Sequence, residues 1–104
     1  MADEQNIQNQ INIELPEDVA EGIYSNLAII THSNSEFVID FIKMLPGIPK
    51  AKVKSRIVLT PQHAKRLLVA LKENIVKFEN AHGQIKVEEF KAFPMNFGGP
   101  IPQA

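Results

Sequence analysis

The sequence predicts an α+β domain in which four antiparallel strands form a meander and one long helix follows, packed on one face of the sheet. Three observations carry this. Four short stretches between residues 10 and 59 have strand-like apolar patterns. Clusters of Pro, Gly, Ser and Asn separate them. A Thr-Pro pair then opens a stretch whose apolar residues recur with helical spacing. The expected organisation is a flexible N-terminus over 1–9, a single domain over 10–83 and a C-terminal extension over 84–104.

In the first stretch, Gln10 to Leu15, Ile11, Ile13 and Leu15 alternate with Asn12 and Glu14, the period of a half-buried strand. Pro16-Glu17-Asp18 breaks it, and Gly22 ends the connection. Ile23 to Thr31 is largely apolar and reads as the second strand. Ser33-Asn34 reads as a two-residue turn, and Glu36 to Met44 as the third strand. Leu45-Pro46-Gly47-Ile48-Pro49 is a non-regular connection, because proline lacks an amide donor and glycine favours turns. Lys50 to Leu59 is the fourth strand. Thr60 is suited to cap a helix and Pro61 to occupy its first position. Ala64, Leu67, Leu68, Leu71, Ile75 and Phe78 make one stripe, and Gly83 after His82 suits a left-handed cap.

A two-residue turn at Ser33-Asn34 would place Ile30 opposite Phe37 and Ala28 opposite Ile39. A matching register for the last two strands places Phe41 opposite Val53, Ile39 opposite Ser55 and Phe37 opposite Ile57. These residues share the face expected to carry the helix, so aspartate at Phe37 or Ile57 is expected to unfold the protein by burying an unpaired charge. The other face gathers Ile23, Leu27, Ile29, Val38, Ile42 and Met44, mixed with Glu36, Asp40, Lys50, Lys52, Lys54 and Arg56. One helix cannot cover both faces, and a mixed apolar face of this kind points to a partner. Stacking against a second copy is the simplest expectation. The competing one is that an end of the chain folds back over it.

The chain has 104 residues, 44% of them hydrophobic, which suits one packed domain. With no Cys, it has no disulfide, thiolate metal site or cysteine nucleophile. Its net charge of −1 conceals an asymmetry. Eight of the eleven Lys and Arg lie between Lys43 and Lys72, a window without Asp or Glu, so the middle carries +8 and the remainder −9. Such asymmetry points to an anionic partner. Lys50, Lys52, Lys54 and Arg56, alternating along one strand and helped by Lys65 and Arg66, would stand about 6.6 Å apart, a spacing compatible with tracking a nucleic-acid backbone. Against this, lysine on an edge strand also prevents aggregation, Asp40 is expected opposite Lys54, and the aromatic residues of a single-strand binder are missing.

No catalytic constellation is legible. His63 and His82 are 19 residues apart on the predicted helix, about 28 Å, so they cannot share a metal. Ser33, Ser35 and Asp40 lack a histidine evidently placed to complete a triad, and Gly98-Gly99 lacks the helix that follows a phosphate loop. The N-terminus lacks a basic start and apolar run, and the longest apolar run, Leu67 to Leu71, is far short of the roughly 20 residues of a membrane helix. The expectation is a soluble, cytoplasmic protein without enzyme activity, cofactor or membrane partner. Phe90, Phe93 and Phe97 in the tail suit either a flexible extension or an arm that packs on this sheet or a neighbouring subunit.

Tyr24-Ser25-Asn26, the run Ser35-Glu36-Phe37-Val38-Ile39-Asp40-Phe41, Pro46-Gly47, and Arg56-Ile57-Val58-Leu59-Thr60-Pro61 ahead of a long helix together resemble a small bacterial family known as domain of unknown function 3467. The resemblance covers about Gly22 to Gly83. It implies a small bacterial cytoplasmic protein and supplies no catalytic residue. The order of four strands and a long helix is also similar, at the level of fold alone, to the export chaperone SecB. The functional expectation is therefore a homo-oligomeric, chaperone-like protein-interaction module, with Ile23, Leu27, Ile29, Val38, Ile42 and Met44 facing another copy or a protein client. The alternative is a nucleic-acid-binding protein that uses the basic segment.

Overall fold

The structure is a computed structural model, and it describes residues 10–88. A single helical turn, α1 (Glu17–Ala20), precedes three strands, β1 (Leu27–His32), β2 (Phe37–Lys43) and β3 (Lys52–Leu59), and the long helix α2 (Pro61–His82) ends the domain. The strands form one antiparallel sheet in the order β1-β2-β3. The α+β class, the antiparallel meander and the C-terminal helix agree with the sequence reading. The N-terminal residues, and the tail that carries Phe90, Phe93 and Phe97, lie outside the described residues.

The sheet has three strands, not four. Residues 10–16 are without regular structure, and Ile11 and Ile13 are 83% and 92% exposed. Alternation creates a two-faced segment but does not supply a neighbour for its amides, and a strand exists only when its ladder is paired. The chain instead closes the turn of α1 on the Pro16 carbonyl, which accepts from the Val19 and Ala20 amides. It then reverses at Gly22, whose φ of 79° lies in the left-handed region.

β1 begins later than its apolar run suggests because Ser25 and Asn26 tie the chain to the end of β2 through their side chains. The Ile42 carbonyl accepts from the Asn26 amide and from Ser25 Oγ, both at 3.0 Å. Asn26 Oδ1 accepts from the Met44 amide at 2.7 Å, and Asn26 Nδ2 donates to the Met44 carbonyl at 2.9 Å. The carboxamide thus acts as one further rung of the ladder. Asn26→Ala is expected to fray this corner and cost about 1 kcal/mol, read as a lower denaturant midpoint with an unchanged slope.

The first hairpin turns one residue later than expected. Ser33 Oγ accepts from the Ser35 and Glu36 amides, and the Ser33 amide donates to the Glu36 carbonyl at 2.9 Å, so Asn34-Ser35 forms the tip. Ile30 therefore faces Ile39, and Ala28 faces Phe41. Between β2 and β3, Phe37 faces Leu59, Ile39 faces Ile57 and Phe41 faces Ser55. These registers differ from the expected ones by two residues. An even slip keeps every side chain on its predicted face, whereas a slip of one would have reversed them.

A slip of one does occur beyond Phe41. Ile42 faces Val53, which leaves Lys54 as the extra residue of a β-bulge. Val53 thereby leaves the Phe41 face and Lys52 comes opposite Lys43; Lys54 had already lost its place opposite Asp40 through the two-residue shift. Lys50 lies ahead of β3 in the connection, where the Ile48 amide bonds the Leu45 carbonyl at 3.3 Å around Pro46 and Gly47 (φ 76°).

The helix has its predicted bounds. Thr60 Oγ1 accepts from the His63 amide, Pro61 occupies the first turn, and Gly83, at φ 93°, donates its amide to the Glu79 carbonyl. Its packing differs from expectation, because the helix does not lie on the sheet of its own chain. No residue of α2 is buried, and the stripe is open to solvent, with Leu67 41%, Leu68 60%, Leu71 54%, Ile75 39% and Phe78 50% exposed. One residue, Thr60, separates β3 from α2. That is too short for the chain to reverse and lay a helix back across the strand it has just left. Among the described residues only Ile39, Ile42 and Asp40 are buried.

Candidate functional site

The sheet presents two chemically distinct faces. On one, Ala28, Ile30, Phe37, Ile39, Phe41, Ile57 and Leu59 form an apolar field, in which Ile39 is buried while Ile30 is 60% and Ile57 41% exposed. His32 stacks on Phe37 at its rim, with ring centroids 5.4 Å apart. On the other face, Leu27, Ile29, Val38 and Ile42 surround a charge pair in the middle of the sheet.

That pair is Asp40 with Arg56, directly opposite one another on β2 and β3. Arg56 Nε donates to Asp40 Oδ1 at 2.6 Å and Nη2 to Oδ2 at 2.9 Å, a two-pronged contact that suits the planar guanidinium. Asp40 is only 2% exposed, whereas the Arg56 side chain is 52% exposed. The hydrogen bonds from Arg56 lower the Asp40 carboxyl below its usual range. Burial opposes this, and the Arg56 charge adds to the lowering. Asp40 was expected opposite Lys54; the two-residue shift in register places Arg56 there instead.

The residues expected to meet a partner are not equally available. Ile23 is 64% exposed, Leu27, Ile29, Val38 and Met44 are half-buried, and Ile42 is only 5% exposed within its own chain. In the basic segment, Lys50, Lys52 and Lys54 are exposed, and so are Lys65 and Arg66 on α2. Arg56 is engaged with Asp40, the only ion pair among the described residues. Lys43 adds a charge that the strand pattern did not single out. It faces Lys52 across the ladder, and its Nζ lies 5.8 Å from the centroid of the Tyr24 ring. Lys50, Lys52, Lys54 and Arg56 are thus not one alternating row, because the bulge and the end of the strand divide them. Lys65, Arg66, Val69 and Glu73 line a shallow groove on the first turns of α2.

Among the described residues no three His, Asp or Glu side chains lie close enough together to hold a metal ion, and no helix is long and apolar enough to cross a membrane.

What the fold and its surfaces define is a small α+β protein with a thin antiparallel sheet, an uncovered helix and extensive unburied apolar surface. The family described as "Protein of unknown function (DUF3467)" matches residues 1–87, and the chain belongs to that family. No curated protein and no solved structure matches the chain. The looser likeness to SecB therefore finds no counterpart, and the three-stranded sheet departs from the four strands on which it rested.

Proposed function

We propose that this protein is a non-enzymatic, homo-oligomeric protein-interaction module whose sheet and helix complete their cores only in the assembly. The observation that carries the reading is that, among the described residues, two apolar side chains are buried, Ile39 and Ile42, while at least five large apolar residues of one helix stripe stay 39–60% exposed. Ordering each residue costs about 1–2 kcal/mol of backbone entropy, so so small a core does not sustain a folded chain by itself. Such a protein is folded when its partner is present, which makes association a condition of the native state. The apolar residues around the Asp40–Arg56 pair, Leu27, Ile29, Val38 and Met44, remain half open for a second contact, and a protein client is the partner that suits them. Light scattering across a concentration series tests the reading: a cooperatively folded monomer at high concentration removes it.

A second reading, nucleic-acid binding, draws support from the pairing of Lys43 with Lys52. Like charges directly opposite in a sheet repel, and an anion placed between them would offset that cost. Lys54, Lys65 and Arg66 would extend the contact. Under this reading, affinity for a single-stranded oligonucleotide falls steeply with salt, and Lys52→Glu with Lys54→Glu abolishes binding. Binding unchanged by those charge reversals dismisses it.

A further inference from the structure

The helix stripe and the sheet face whose centre is apolar are two halves of one missing layer. We infer that in a two-fold dimer the α2 stripe of each copy seats on the apolar sheet face of the other, over Ile30, Ile39 and Ile57. The inference rests on the self-association proposed above and specifies its surfaces.

The dimensions agree. Ala64 to Phe78 spans about 21 Å along the helix at 1.5 Å per residue, and the eight residues of β3 span about 26 Å. The chemistry agrees as well. The face bearing Ile30, Ile39 and Ile57 has no charge at its centre, whereas the opposite face carries Asp40 and Arg56 there. A helix seated on the charged face would have to displace or cover the Arg56 side chain, which is 52% exposed.

The stripe is wider than a helix-to-helix seam requires. A two-stranded coiled coil needs apolar residues at alternating steps of three and four, which Ala64, Leu68, Leu71, Ile75 and Phe78 supply. Leu67 lies beside that row and broadens the stripe toward the width of a surface that covers a sheet.

The area is sufficient. The exposed parts of Leu67, Leu68, Leu71, Ile75 and Phe78, with those of Ile30 and Ile57, amount to roughly 600 Å² per protomer, or roughly 1,200 Å² for the pair. That reaches the lower bound of specific, stable interfaces, about 1,200–2,000 Å². A second copy is also the one occupant that is present in equal number to the face it must cover. Each chain offers one helix without a sheet and one sheet face without a helix, and a two-fold axis satisfies both at once.

Because the chain has no Cys, single cysteines can be introduced without background. Two tagged copies of the full chain are co-expressed, one with Ile57→Cys and the other with Leu68→Cys, Leu71→Cys or Ile75→Cys, and treated with a short bismaleimide. At least one of the three pairs is expected to give a cross-linked heterodimer at ten times or more the yield of the pair Ile57→Cys with Val69→Cys, since Val69 projects from the opposite side of α2. Light scattering on each variant reports whether the assembly persists. Efficient linkage of Leu71→Cys to itself places helix on helix and overturns the inference. Linkage within a single chain of the double variant Ile57→Cys with Leu71→Cys overturns it by seating the helix on its own sheet. An oligomer in which none of the three pairs links overturns the seating and leaves self-association standing. A folded monomer overturns both.

Discussion

Leu71→Asp is expected to turn the assembled protein into dissociated chains that have lost cooperative unfolding. Leu71 sits in the middle of the stripe and is 54% exposed in the single chain. Within that chain the substitution would be mild, because the carboxylate could remain in water. In the two-fold assembly each copy loses the burial of one leucine, about 1.5–3 kcal/mol, and the loss counts twice. A loss of about 5 kcal/mol weakens association by more than a thousandfold, before any cost of the buried charge. Ile57→Asp is expected to act in the same way from the sheet side, although Ile57 is 41% exposed in the isolated chain. Sedimentation and thermal melts at matched concentration read both variants. A Leu71→Asp protein with unchanged mass and melting temperature would show that the stripe faces water in the native state.

The second large effect concerns the ion pair, and its expected signature is pH dependence. Arg56→Met leaves Asp40, 2% exposed, without the guanidinium that pairs with it, and is expected to destabilise the sheet more than Asp40→Asn does. Asp40→Asn leaves Arg56, half exposed, free to turn to solvent. In the parent protein the Asp40 carboxyl is held below its usual range by the Arg56 hydrogen bonds. Its contribution to stability is therefore fully present above the ordinary aspartate value of about 3.9, and is lost as pH falls through the lower value of the folded state. In Arg56→Met only burial remains of the influences on that carboxyl, and burial raises it. The folded form then favours the protonated acid, and the variant gains stability relative to its neutral-pH value as the pH falls. The two stability curves are expected to be furthest apart near neutrality and to converge in acid. Denaturant midpoints from pH 7 down to 3 measure this. A constant difference across that range would mean that the effect of Arg56 is packing of its alkyl chain alone.

Much of this was legible in the residues, and its limits have physical causes. Every feature of α2 that depends on local chemistry was readable: the Thr60 cap, Pro61 in the first turn, the stripe and the Gly83 stop. Which side chains share a sheet face was readable too, except for Val53 and Lys52 beyond the bulge, because alternation has period two and the registers otherwise moved by an even number of residues. The division of the basic segment was not readable. A bulge adds a residue without a sequence mark of its own here, and the separate two-residue shift in register hands Asp40 from Lys54 to Arg56. The role of Asn26 as an added rung was missed for a related reason: a carboxamide that imitates a peptide group is defined by what stands opposite it, and that is Met44.

Local conformations, apolar periods and the alternation of faces follow from the order of the residues alone, because they arise from interactions within a few residues of one another. That order also makes visible that there is more apolar surface than one helix and one sheet can hide. That residues 10–15 do not become a strand is a property of the assembled fold, since a strand depends on a partner edge. That α2 does not cover the sheet that precedes it is also a property of the fold, since it depends on whether one residue, Thr60, lets the chain turn back. The helix stripe was read as the cover of a core, and it remains one in chemistry. The short connection between β3 and α2 leaves that cover unused within its own chain.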